Sequence, residues 1–137
     1  MKLISYNIRC CGLLLGLAMT SHAFAGDLVV VMGPSASALT KDQVTSIYLG
    51  RNMDFKPVDL PESSALRQDF YKKATDRDSA QVKAVWARLT FTGGGQPPLM
   101  LPDAASVKKA VATDPKAVGY IDKADVDASV KVVLALN

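Results

Sequence analysis

The chain has 137 residues, 49% of them apolar, and 16 Lys and Arg against 13 Asp and Glu give a net charge of +3. The first 25 residues read as an export signal, and without its Lys2 and Arg9 the balance falls to +1, too little for a nucleic-acid surface that works by charge. Cys10, Cys11 and His22 all lie in that segment, so residues 26–137 offer no thiol nucleophile, no imidazole base, no disulfide and no thiolate or imidazole metal ligand.

The signal reading rests on order. Lys2 and Arg9 come first, the apolar run Cys10 to Met19 follows, and Ala23-Phe24-Ala25 forms a small-x-small site, so cleavage after Ala25 leaves Gly26 as the new N-terminus. The apolar run is about half the roughly 20 residues that an anchor helix needs. Ile8-Arg9 precedes Cys10, which is not the small-residue pattern of a lipoprotein signal. The expectation is a periplasmic protein with two segments, a signal peptide at 1–25 and a single domain at 26–137.

DLVVVMG, Asp27 to Gly33, is a β-branched run closed by Gly-Pro and reads as a buried strand. Thr40 with Gln43 makes a capping box. Val44, Ile47 and Tyr48 share one face of the helix it opens, and Gly50 suits its C-terminal end. Phe55 to Pro61 reads as a second strand, near an edge because of Pro57. A helix starts near Ser63 or Ser64, with Leu66, Phe70 and Tyr71 as its apolar stripe and Lys72-Lys73 near its C-terminal end. Asp78 and Gln81 form another capping box, opening a helix in which Val82, Val85, Trp86 and Leu89 recur at helical spacing, and these two helices should pack together. Thr92 to Pro98 is irregular, Asp103 caps a further helix through Val107, Ala110 and Val111, and AVGYI and VKVVLAL are the last two strands. The predicted order is β-α-β-α-α-α-β-β, an α/β layer arrangement.

Two segments could hold an anion. At the helix start Glu62-Ser63-Ser64-Ala65-Leu66-Arg67, free first-turn N–H groups and the positive end of the macrodipole point outward beside two hydroxyls. Arg67, one turn in, could serve a ligand or pair with Glu62 or Asp59; the plainer alternative is that Ser63 or Ser64 is only an N-cap. Thr92, Gly93, Gly94 and Gly95 could turn several N–H groups into an anion-binding concavity, or form a lid or a plain connection. No Gly-Lys-Ser/Thr follows, which excludes a nucleotide P-loop. Asp76, Asp78, Asp122, Asp125 and Asp127 read as solvated turns and caps, because DKADVD lacks the glycine and terminal Glu of a calcium loop. Trp86, Phe70 and Tyr71 read as core. Residues 26–137 have no histidine, and neither Ser63 nor Ser64 is followed by a lysine three residues on, so the chain is not expected to be an enzyme, and it calls for no cofactor or metal.

The succession Leu39, Thr40, Gln43, Val44, Ile47, Tyr48, Leu49, Gly50, Arg51, followed by Ser64-Ala65-Leu66-Arg67 and then by Lys116-Ala117-Val118-Gly119-Tyr120, resembles the phosphate-type substrate-binding proteins of ABC transporters, within the type II periplasmic binding protein superfamily. The resemblance runs from about Asp27 to Val133. It implies a single lobe of such a receptor, a three-layer-like α/β unit with a central mixed sheet flanked by helices. It also implies an oxyanion at Ser63, Ser64, Ala65, Leu66 and Arg67. Ala65 and Leu66 replace the family's Gly and Thr, so what carries over is Ser64, the N–H groups after it and Arg67. Receptors of the family have two lobes and hold the anion between them.

The implied function is non-enzymatic binding of phosphate or another tetrahedral oxyanion, linked to ABC transport or sensing through an inner-membrane transporter or sensor. The alternative is an interaction module that has lost its ligand and docks on a membrane partner or on itself as a homodimer. In that case the apolar stretch Pro97 to Pro102 is the expected contact rim.

Overall fold

The computed structural model describes residues 27–136, so the segment expected to be a signal peptide, 1–25, and its expected cleavage site lie outside the described residues. One five-stranded mixed sheet organises them, with strand order β3-β2-β4-β1-β5. The first strand, β1 (Leu28–Met32), is buried along its whole length. It pairs antiparallel with β4 (Ala117–Asp122) and with β5 (Lys131–Leu136), and a bulge shifts the β5 register between Val30 and Val31. On the other side of β4, β2 (Lys56–Asp59) runs parallel to it and to the two-residue β3 (Leu99–Met100).

Side-chain alternation assigns the helices to layers. A Cβ on Gly119 would meet Val107 and Val58, so this face of β4 and β2 lies against α4 (Ala104–Thr113). Tyr120, one residue on, points the opposite way and stacks on Phe70 of α2 (Ala65–Thr75), with ring centroids 3.9 Å apart. That second face also receives Tyr48 from α1 (Lys41–Tyr48), whose hydroxyl donates to the Val58 carbonyl at 2.8 Å. Outside them, α3 (Ser79–Phe91) packs on α2. The result is helix, mixed sheet, helices: the three-layer α/β arrangement.

The local signals act as their chemistry predicts. Thr40/Gln43 and Asp78/Gln81 both close reciprocal capping boxes. Gly50 adopts φ 72°, and a Cβ there would lie 2.4 Å from Leu89 and 3.1 Å from Trp86, so the turn after α1 needs glycine both for its conformation and for the approach of α3. Val44, Ile47 and Tyr48 are buried together. Strand β2 lies next to the edge. Its ladder with β3 involves only Val58 and Asp59, so Pro57, which has no donor, has no β3 partner to satisfy.

Two expectations need correction. Strand β2 stops at Asp59 rather than reaching Pro61, because the Leu60 N–H turns back to the Asp59 carboxylate at 2.8 Å instead of continuing the ladder. The predicted order also lacked β3, which lies between α3 and α4. Two residues between Pro98 and Leu101-Pro102 are too few to show a strand period, and only pairing with β2 makes them a strand.

Candidate functional site

The site begins where β2 ends. After Asp59 the chain turns through Pro61, whose carbonyl accepts from the Ser64 N–H at 2.9 Å, and Ser64 Oγ then caps α2 by accepting from the Arg67 N–H at 3.3 Å. One helical turn in, Arg67 falls on the same side as Phe70, Tyr71 and Ala74 and is only 7% exposed. A guanidinium is thus carried into the molecule by the periodicity that buries the apolar stripe.

Asp59, 3% exposed, is its neighbour: Arg67 Nε lies 3.4 Å from Asp59 Oδ2. The carboxylate is already well supplied with neutral donors. Tyr71 Oη donates to Oδ2 at 2.5 Å, Tyr120 Oη donates to Oδ1, and the Leu60 N–H also reaches Oδ1. Burial first, and the Asp59 charge second, push both tyrosine hydroxyls well above their ordinary value of 10.0, so they stay neutral and act as donors. The guanidinium fares differently. Its Cζ sits 5.5 Å from the Tyr71 ring centroid, and Nε and Nη1 are buried without a hydrogen-bond partner; the 3.4 Å approach to Asp59 is an ion pair by distance but lacks hydrogen-bond geometry. Arg67 is therefore countered in charge but short of acceptors, a costly state for a buried cation.

Arg67 and Asp59 form the polar end of a cavity of about 500 Å³ between α2, α3 and β3. Glu62 and Lys83 flank the same end, paired at 2.9 Å, and the lysine's hydrogen bond holds the Glu62 carboxyl below its ordinary value. Away from this end the walls are carbon: Val82, Trp86, Ala87, Phe91, Pro98 and Met100. A smaller space of about 240 Å³, lined by Gln68, Ser79 and Ala80, adjoins Arg67, Glu62 and Lys83 from the other side.

The residues expected to form a site are only partly brought together. Arg67 pairs with Asp59, one of the two acidic partners its position allowed, while Glu62 is paired with Lys83. Ser64 is the N-cap, Ser63 and Ala65 are exposed, Leu66 is half-buried, and none of these four lines the cavity. Thr92 Oγ1 donates to the carbonyls of Arg88 and Leu89, and the N–H groups of Gly93 and Gly94 bond Thr90 and Leu89, so two of the glycine N–H groups close α3 rather than face an anion. The loop meets the cavity through Pro97 and Pro98. Leu99 and Met100 are exposed, at 63% and 50%. The carboxylates of Asp122 and Asp127 accept from the N–H groups of Ala124 and Ser129, as turn residues do, and no group of three acidic residues among the described residues has a metal-binding arrangement.

Sequence reasoning missed Lys83 and the apolar wall. It also placed Tyr71 in the core, where it is, without the role of its hydroxyl. The available signal was Asp59 itself, a charge at the end of an apolar strand, directly before Leu-Pro.

No protein-family model matches the chain, and no match to a curated protein was found. Solved structures do match it. An ABC-type phosphate transport receptor from Vibrio cholerae superposes with a TM-score of 0.61 at 21% identity, over 79% of this chain and 45% of that one. A protein assigned as a phosphate ABC transporter substrate-binding protein from Clostridium perfringens, with phosphate bound, gives 0.62 at 19% identity over 79% and 44%. PstS from Borrelia burgdorferi gives 0.57 at 11% identity over 79% and 46%. The chain spans less than half the length of these proteins, and its fold is that of one periplasmic binding protein lobe.

Proposed function

We propose that this protein is an exported, non-enzymatic oxyanion-binding lobe whose anion is held beside the first turn of α2 by Arg67. The observation that carries the reading is the guanidinium: two of its nitrogens are buried beside a cavity and have no acceptor. An oxyanion would supply that acceptor through charge-assisted hydrogen bonds. The phosphate bound to the Clostridium perfringens protein, which shares this fold, favours a tetrahedral oxyanion such as phosphate. Ser63 and Ser64 shape the helix start, and cleavage after Ala25 would release the protein into the periplasm. Among the groups lining the cavity, the Tyr71 hydroxyl is held neutral and the two cations and two carboxylates are paired with one another, which suits binding rather than catalysis.

Affinity for a small inorganic anion should be low, in the millimolar range or about −4 kcal/mol, because the site is open on one side. Calorimetric titration with phosphate and with sulfate tests this. Arg67→Ala should weaken binding by about tenfold or more, while Ser64→Ala should cost about 1 kcal/mol of helix capping with a smaller effect on binding. Equal binding by wild type and Arg67→Ala, with both folded by circular dichroism, would overturn the assignment.

A further inference from the structure

Resting on the reading above, we infer that the oxyanion bound at Arg67 carries an apolar body, aromatic or branched aliphatic, that occupies the cavity between α3 and β3. Charge is the first argument. Arg67 and Lys83 are matched by Asp59 and Glu62, so the four charges at the polar end cancel, and an anionic head alone gains little from the local field. The walls are the second. From Val82 and Trp86 to Phe91 and Met100 the lining is hydrocarbon, interrupted only by Thr90. Trp86 adds no polar group, since its Nε1–H is committed to the Tyr48 carbonyl at 2.8 Å and the indole offers only its ring.

Size is the third argument. About 500 Å³ lies within the range of pockets that enclose small organic ligands, and a bare tetrahedral anion would occupy a small part of it. At the mouth Phe91 is 93% exposed and Met100 50%, an apolar rim left in water unless something covers it. A substituted oxyanion answers all three: its head meets the unpartnered guanidinium, and its body covers carbon surface that the head cannot reach.

The test uses two ligands with the same head, methylphosphonate and phenylphosphonate, together with benzyl alcohol as a body without charge, titrated into the full protein. Binding is read by calorimetry and by the emission of Trp86, the chain's single tryptophan, which lines the cavity. Phenylphosphonate should bind about tenfold tighter than methylphosphonate and shift the Trp86 emission. In Phe91→Ser combined with Met100→Ser, both at exposed positions outside the core, that ratio should fall below about threefold. If both phosphonates bind equally and both are lost in Arg67→Ala, the apolar body is overturned and the oxyanion reading stands. Benzyl alcohol binding as tightly as phenylphosphonate, or no binding by any of the three, overturns both.

Discussion

The two sides of the sheet are built on different terms. Around β1 the strands are antiparallel, five or six residues long, and packed so fully that Leu28, Val29, Val30, Val31 and Met32 are all buried. Around β2 they are parallel, four and two residues long, and the last residue of β2 is a buried carboxylate. The antiparallel side is built on long ladders, and among the described residues no buried side-chain polar atom there lacks a partner. On the parallel side β2 ends early, the carboxylate gathers two tyrosines and a backbone N–H, and the cation beside it is left short of acceptors. The unpartnered guanidinium thus sits where the strands are shortest. The long, dry side supplies the rigidity against which an under-satisfied arginine can be held.

That contrast breaks most severely at Asp59. Asp59→Asn removes the countercharge of buried Arg67 and gives two tyrosine hydroxyls a partner that must itself donate, so about 3–5 kcal/mol of stability should be lost in urea unfolding. The same change makes the polar end net positive, so phosphate affinity should rise while stability falls. A loss below about 1 kcal/mol would mean the network does not tie β2 to α2.

The face of β4 and β2 that meets α4 should respond through packing alone. A Cβ at Gly119 would lie 2.5 Å from Val107 and 3.0 Å from Val58, so Gly119→Ala should cost about 1–3 kcal/mol by overpacking, with anion binding unchanged in the folded protein. If it instead altered binding, packing on the α4 face would be coupled through β2 to the polar end.

The smallest effect is expected at the surface behind the antiparallel strands, where Lys108 pairs with Asp127 at 2.8 Å. The lysine's hydrogen bond, with help from Ser129, holds the Asp127 carboxyl below its ordinary 3.8. A folded-state value below the unfolded one means stability present above pH 3.8 and lost as the pH falls through the folded-state value. Asp127→Asn should therefore be slightly less stable at neutral pH, and the difference should close in acid; a difference that widens in acid would reverse the assigned sign. The pair is exposed and its contribution is small.

Capping boxes, the apolar stripes of α1 and α2 and the strand runs were legible because each is a local pattern whose cause lies within a few residues. Strand β3 was not, because two residues carry no period. At the site, the helix start and Arg67 could be read from spacing, and so could the N-cap, which spacing left between Ser63 and Ser64 and which the structure gives to Ser64. The glycine loop suggested free N–H groups, and two of them serve α3.

From the amino-acid order alone follow the α/β class, most element positions, the absence of Cys and His from residues 26–137, and an arginine one turn into a capped helix. Which partner that arginine takes was decided by the tertiary structure. Asp59 and Arg67 meet because the early end of β2 and the buried side of α2 converge on Tyr120, 53 residues beyond Arg67, and no local signal spans that separation. The cavity has the same origin: its apolar wall is joined to its polar end only when α3 packs on α2 and β3 closes against β2.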